Sequence, residues 1–439
     1  MTRGTALILV YILLAVLPAT LAVFLVEQPY PIFLRELAKM LALTGAAILM
    51  LQPVLAARFH FIERPFGLDM VLRFHRNMAV LALAMLLAHP VLIALSGAGW
   101  RLLYSLDLPW YIWTGKIALA LLVLNGLASL LFSRLPLSWE NWRLVHDLLG
   151  PAILLLVVLH APILGADFNE TPQQAVAWLV FLTAAGVFVW HRFVRPSRLR
   201  SRPWSVTSVT EETPDVYTVE VSPPNGDAPQ PHDPGQFQFV TFLRDRGLPR
   251  EEHHWTISSS PERPNARACT IKKSGDFTAT IDQIRIGDKA MVHGPFGRFS
   301  HVHHQGEKLA FVAGGIGITP LMSMLRAMRD RGERRDVVLL YANKTLHDAV
   351  FAEELAAMAG DGQQPSLELV HVLSRPDKGW DGESGRIDAD MLRRRVTDHA
   401  ERRWFLCGPK GMVDAFVPAL RAMGVPDSNM HREIFTFLD

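Results

Sequence analysis

Two long apolar stretches of this chain each carry a pair of histidines fourteen residues apart. In FHRNMAVLALAMLLAHP, residues 74–90, they are His75 and His89; in VHDLLGPAILLLVVLHAPILG they are His146 and His160. An imidazole buried among aliphatic side chains is costly unless something partners it. A helix rises about 1.5 Å and turns about 100° per residue, so fourteen residues give roughly 21 Å of rise and fall about 40° short of four turns. Each pair therefore shares one helix face, with its members near opposite ends of the helix.

These stretches belong to a set of six. Apolar runs at 5–26, 36–57, 75–96, 111–132, 144–164 and 174–194 are each long enough to cross a hydrocarbon layer of about 30 Å. The first lacks a small-residue cleavage site and reads as a span, not a signal peptide. Short basic connections (Arg58, Arg64 and Arg73; Arg134 and Arg143) and the exit HRFVRPSRLRSR alternate with a connection holding Asp167 and Glu170. The positive-inside rule then predicts a multi-pass protein of the inner (plasma) membrane with both termini cytoplasmic. The third and fifth runs point the same way. His75 is expected to face His146 near the cytoplasm, and His89 to face His160 near the outside. Each pair can supply both axial ligands of one haem iron held between facing helices. Polar groups at membrane depth are functional candidates, and two pairs at one spacing outweigh a packing role. Arg73 and Arg76 flank His75, as haem-propionate partners or as topological anchors. His60 and His191 read as interfacial.

The net charge of +2 argues against a nucleic-acid partner. The two cysteines, Cys269 and Cys407, form neither a disulfide framework nor a CxxC or CxxCH motif. Beyond the spans the pattern changes. VYTVEV, QFQFVTFL, HHWTIS, RACTIKK and DKAMVHG predict short strands of an antiparallel barrel. KLAFVAG, DVVLLYAN, LELVHVLS and RRWFLCG predict buried parallel strands, with helical stretches between them, hence a doubly wound α/β sheet. The expected domains are 1–200 (six-span di-haem), 201–304 (barrel) and 305–439 (α/β).

A haem takes electrons singly and a nicotinamide gives a hydride, so a flavin is expected between them. HHWTISSSP offers His253, Trp255, Thr256 and Ser258 to its ring. KKSGDFTATI offers Lys272 or Lys273, with a Gly-x-x-Thr turn (Gly275, Phe277, Thr278) whose N–H groups can hold a pyrophosphate. GPFG, from Gly294, permits close backbone approach. In FVAGGIGITPLMSML a Gly-rich turn (Gly314, Gly315, Gly317) leads into a helix with Thr319 as N-cap and Pro320 as first residue. That helix N-terminus suits a pyrophosphate, although the pattern is not the G-x-G-x-x-G fingerprint. Ser374 and Arg375 suit the 2′-phosphate of NADPH, with NADH as the alternative. Cys407 and Gly408 end a strand where a nicotinamide can lie. Phe435 either shields the flavin or is a core aromatic.

Taken together these motifs resemble the ferric-reductase-like transmembrane and NADPH oxidase superfamily, joined to a ferredoxin–NADP reductase-type module. Paired histidines on the third and fifth spans carry the membrane resemblance. His253 and Thr256 match the oxidase form of the flavin motif, whereas His254 and Trp255 depart from it. GDFT at 275–278, GPFG at 294–297, GGIGITP at 314–320 and CGP at 407–409 also match. The resemblance implies FAD, two b-type haems and NAD(P)H. It also implies electron transfer to an acceptor outside: dioxygen, giving superoxide, or a ferric chelate. A reductase subunit feeding a membrane partner and a degenerate non-enzymatic scaffold are the rival readings. No protein partner is indicated.

Overall fold

The computed structural model describes residues 2–25, 32–136, 138–164, 171–244, 247–360 and 362–433. It divides into two compact units, Met1–Arg195 and Pro196–Asp439.

The first unit is helical. Its long helices are α1 (Arg3–Leu25), α2 (Phe33–Ala56), α3 (Leu68–Ile93), α4 (Trp110–Leu130), α5 (Trp139–Leu164) and α6 (Thr171–Val189). Among the described residues, five of these segments are long and apolar enough to cross a membrane, one in each of α1 to α5. Their outward faces are apolar as well: Leu124, Leu148 and Leu182 are 57%, 65% and 61% exposed. A surface of that kind is stable in lipid and not in water. Small residues let the inner faces close. Ala82 and Ala184 are buried, and a Cβ on Gly45 would lie 3.1 Å from Leu86. Consecutive helices α2 and α3 pack as one hairpin, and α4 and α5 as another. Asp167 and Glu170 lie outside the described residues.

The second unit holds two sheets. β1 (Trp204–Thr213), β2 (Val216–Ser222), β3 (Phe237–Leu243), β4 (His253–Thr256), β5 (Arg267–Lys272) and β6 (Lys289–Phe296) form an antiparallel sheet in the order β4-β3-β6-β1-β2-β5. A bridge between Ile257 and Cys269 joins its ends, closing the barrel. Alternation sends Val219, Val221, Val240, Phe242, Cys269 and Ile271 inward to one core. The strand β1 carries no apolar run. Its Ser/Thr/Glu-rich sequence turns Val206 to the core and leaves the rest half-solvated, which hides it from pattern reading.

The other sheet is entirely parallel. β7 (Lys308–Gly314), β8 (Asp336–Asn343), β9 (Ser366–Leu373), β10 (Glu383–Ser384), β11 (Arg403–Cys407) and β12 (Met430–Glu433) follow the order β10-β9-β8-β7-β11-β12. Phe311, Leu339, Tyr341 and Phe405 face α7 (Ile318–Arg331) on one side. Val312, Val338, Trp404 and Leu406 face α8 (Lys410–Ala422) on the other. Both faces are covered, as continuous apolar strands require. The short strands β10 and β12 lie at the two edges.

Phe311 is fully buried on the central strand β7. Its replacement by Ala is expected to cost about 3–5 kcal/mol. Urea unfolding followed by tryptophan fluorescence measures this, and an unchanged midpoint would contradict the assigned core.

Candidate functional site

In the first unit the four membrane histidines meet as two pairs. The rings of His75 on α3 and His146 on α5 have centroids 6.4 Å apart. Two imidazoles bound to one metal ion from opposite sides, each at about 2 Å, bring their ring centres to roughly 6 Å. The other two, His89 and His160, are electrostatic neighbours.

Neighbouring helices use up the Nδ1 atoms. His89 Nδ1 donates to the Ala38 carbonyl at 3.0 Å, His146 Nδ1 to Asn125 Oδ1 at 3.1 Å and His160 Nδ1 to the Tyr111 carbonyl at 2.8 Å. A carbonyl oxygen only accepts, so each of these Nδ1 atoms carries the proton and Nε2 keeps its lone pair. The Gln52 backbone faces His75, short of hydrogen-bonding geometry. Backbone space is matched to the rings. A Cβ on Gly115 would lie 2.5 Å from Cε1 and 2.6 Å from Nδ1 of His160. Trp142 stacks on His146 at 5.2 Å. Of the flanking arginines, Arg73 is exposed and pairs with Asp69. Among the described residues, no group of three or more His, Cys, Asp or Glu is placed to hold a metal ion. The candidate metal ligands come strictly in twos.

In the barrel, strand alternation divides the proposed flavin residues. His253 and Trp255 share one face with Phe277, whose ring lies 4.1 Å and 5.8 Å from theirs. Thr256 lies on the other face, opposite Phe237 in the β3–β4 register. Its hydroxyl is buried without a partner, as a group waiting for a ligand atom is. Three of the expected residues are engaged within the barrel itself. The hydroxyl of Ser258 bonds the Ala268 carbonyl and Thr270, so it closes the barrel wall instead of reaching outward. The N–H groups of Ser274 and Gly275 both donate to Thr278 Oγ1 at 2.9 Å, so this turn is satisfied within itself. At Gly294 the close approach is to Gln238: a Cβ there would lie 3.0 Å from the Gln238 side chain. Lys273 is committed to Asp282 at 2.8 Å, while Lys272 is half-buried.

The sequence reading also missed the plug at one end of this barrel. The buried Arg267 donates to Gln238 Oε1 at 2.9 Å and to the Gln230 carbonyl, and lies 5.5 Å from the centre of the Trp204 ring. Burial lowers its pKa to about 10. Gln238 in turn donates to the Cys269 sulfur at 3.3 Å.

In the parallel-sheet domain the Gly-rich turn and the Cys-Gly-Pro turn pack backbone to backbone. A Cβ on Gly317 would sit 2.3 Å from the Cys407 carbonyl oxygen, and one on Gly408 would sit 3.1 Å from the Gly314 nitrogen. Only Gly315, with φ +52°, faces open space. The helix α7 starts two residues early, at Ile318, with Gly317 as its N-cap. Thr319 is therefore inside the first turn, its hydroxyl bonded back to the Ile316 carbonyl at 3.1 Å. Because Phe405 and Cys407 alternate with Trp404 and Leu406, the Cys407 thiol points into the core and is fully buried. It does not border an open site. Ser374 and Arg375 are exposed at the end of β9. Asn343, at the carboxyl end of β8, escaped the sequence reading; it is 9% exposed and its amide nitrogen has no partner. Phe435 lies outside the described residues.

Gly317→Ala is expected to weaken NAD(P)H binding at least tenfold, because the turn must part from β11; equilibrium titration of nicotinamide fluorescence reads this. Burial pushes the Cys269 thiol up to about 12 and the Cys407 thiol well above its ordinary range. Both thiols should stay protonated and unalkylated by iodoacetamide from pH 7 to 9. Mass spectrometry should count no adducts on the folded protein and two after denaturation.

Two family models match the chain: the ferric reductase like transmembrane component over residues 41–157 and the oxidoreductase NAD-binding domain over residues 311–417. The stachydrine N-demethylase reductase subunit of Rhizobium meliloti is 33% identical over 242 residues, 54% of this chain and 67% of that protein. The glycine betaine monooxygenase reductase subunit of Chromohalobacter salexigens is 32% identical over 204 residues, 45% of this chain, and the chain spans only 55% of that relative's length. Among solved structures, a flavohemoglobin from Malassezia yamatoensis is 20% identical, with 92% of this chain and 98% of that chain covered at a TM-score of 0.49. The protein is an oxidoreductase that uses NAD(P)H, and it belongs to the ferric-reductase-like transmembrane proteins that carry a ferredoxin–NADP reductase-type FAD and NAD-binding module.

Proposed function

We propose that the chain moves electrons from cytoplasmic NAD(P)H, by way of FAD and two bis-histidine b-type haems, to an acceptor on the far side of the membrane. The observation that carries this reading is the pairing of His75 with His146 at 6.4 Å inside an apolar bundle that is continuous in sequence with a reductase module. FAD, when bound, takes up a hydride and gives electrons one at a time, and haem iron carries them singly.

The chain's own residues do the rest. His75 and His146 hold the inner porphyrin, and His89 and His160 the outer. The helices keep lipid and water from the irons. We place FAD beside Thr256 on β4 and NAD(P)H beside Asn343 at the carboxyl end of β8. His253, Trp255, Lys272 and Phe277 line the flavin side, Gly315 leaves room for a pyrophosphate, and Ser374 with Arg375 selects NADPH over NADH. The basic connections place six spans with both termini inside. With an imidazole pair holding each iron, an acceptor would take its electron without binding the metal, and dioxygen giving superoxide is the acceptor we favour over a ferric chelate.

A second reading is favoured by the relatives, which are reductase subunits of a demethylase and a monooxygenase. On it, this chain serves a separate oxygenase-like partner. One experiment separates the readings and tests the ligands. The purified protein is reduced anaerobically with NADPH or NADH and followed optically, then exposed to air or to ferric citrate. The expected course is haem reduction, then rapid unaided reoxidation by air with superoxide formed. Idle protein that turns over only with added cell membranes supports the partner reading. Alanine at any of the four histidines should lower haem content from two per chain to one, and Gly115→Ala should do the same by displacing His160. A colourless wild-type protein would overturn the proposal.

A further inference from the structure

Helix α4 carries no histidine, yet it touches both ligands of α5. Tyr111 offers its carbonyl to His160 at 2.8 Å, and Asn125 offers Oδ1 to His146 at 3.1 Å. Tyr111 and Asn125 are fourteen residues apart, as His146 and His160 are, and the two helices run antiparallel. One register therefore serves both contacts. The other hairpin repeats this: Ala38 and Gln52 of α2, again fourteen apart, face His89 and His75 of α3. Each ligand-bearing helix thus has its own orienting helix.

The four contacts are not equivalent. The Nδ1 of His75 has no hydrogen bond, two of the three hydrogen-bond acceptors are main-chain carbonyls, and Asn125 is the single side chain. It is 8% exposed within the apolar run LLVLNGLASL, and its backbone carbonyl also accepts from Ser129 Oγ at 2.8 Å. A carboxamide in that setting is expensive unless its polar atoms are used. An acceptor on Nδ1–H makes the imidazole a stronger donor through Nε2 and favours the oxidised metal.

We propose that Asn125 is a positioning residue for the inner haem: it fixes the tautomer and orientation of His146 and holds the potential of that haem down. This rests on the di-haem reading above. Asn125→Leu removes the acceptor in a lipid-compatible form, and Asn125→Asp replaces it with a stronger one at nearly the same volume. The full-length protein is titrated potentiometrically under anaerobic conditions, with the low-spin ferric signals of the oxidised form followed by electron paramagnetic resonance. The expected result is that one of two midpoints moves, upward in Asn125→Leu and downward in Asn125→Asp, while the other stays. Loss of the inner haem alone from Asn125→Leu, leaving the midpoint that His75→Ala also leaves, supports the same role. Both midpoints unchanged, both moving together, or loss of both haems from Asn125→Leu with Asn125→Asp titrating as wild type would overturn it. Failure of the di-haem reading looks different: the wild-type protein would then lack two bis-imidazole signals before any variant is made.

Discussion

A neutral imidazole in hydrocarbon has one donor and one acceptor to satisfy, and the first unit is organised around that demand. Three of the four rings take their Nδ1 partner from a neighbouring helix and not from their own. The partner must come from a neighbouring helix at the right depth. An antiparallel hairpin supplies it at two depths for one register, which is why the fourteen-residue interval recurs in α2 and α4 as well as in α3 and α5. In His89, His146 and His160 the Nδ1–H is committed to a neighbouring helix, which leaves Nε2 with its lone pair, and the rings of His75 and His146 stand across a gap that a shared metal ion fits.

The second unit meets a different demand, close approach of main chains. Gly314, which ends β7, and Gly317 in the turn after it sit against Gly408 and against Cys407, which ends β11, at distances where an added side chain collides. Adjacent strand ends are brought together at the carboxyl edge of the sheet, where ligands of such folds bind. The barrel is tied to this sheet by polar contacts from α7: Ser323 Oγ donates to the Ser259 carbonyl at 2.9 Å, and Arg326 to the Ser258 carbonyl at 2.8 Å. The run of serines after Trp255 is therefore spent on the wall of the barrel and its attachment. Its polarity resembles that of a binding loop.

What the sequence disclosed follows from which signals are periodic. The helices of the first unit, the inward faces of the barrel and the buried parallel strands all leave repeating apolar patterns. The four histidines stand out against an apolar background. Main-chain acceptors leave no trace in a sequence, so Ala38 and Tyr111 could not be found that way. Asn125 was visible as a polar residue in an apolar run, but not what it faced. The helix start at Ile318 and the inward face of Cys407 were not legible, because a helix boundary shifts by a residue or two, and a strand's alternation by one, without changing the look of the apolar pattern. Asn343 was hidden as the last letter of a strand.

The mixture of main-chain and side-chain acceptors also bears on how such a bundle can be adjusted. A main-chain carbonyl is fixed in strength and in place, and substitution at Ala38 or Tyr111 leaves it standing. Only Asn125 can be exchanged for a weaker or a stronger acceptor without moving a helix. The two histidine pairs are thus constrained unequally. The site at His89 and His160 is set by backbone geometry and by the bare surface of Gly115. The site at His75 and His146 combines a side-chain acceptor, a stacked Trp142 and one imidazole with no hydrogen bond at Nδ1. On the proposed electron route the pair at His75 and His146 is the one whose affinity for the electron must match the donor, and it is the one whose surroundings side chains can change.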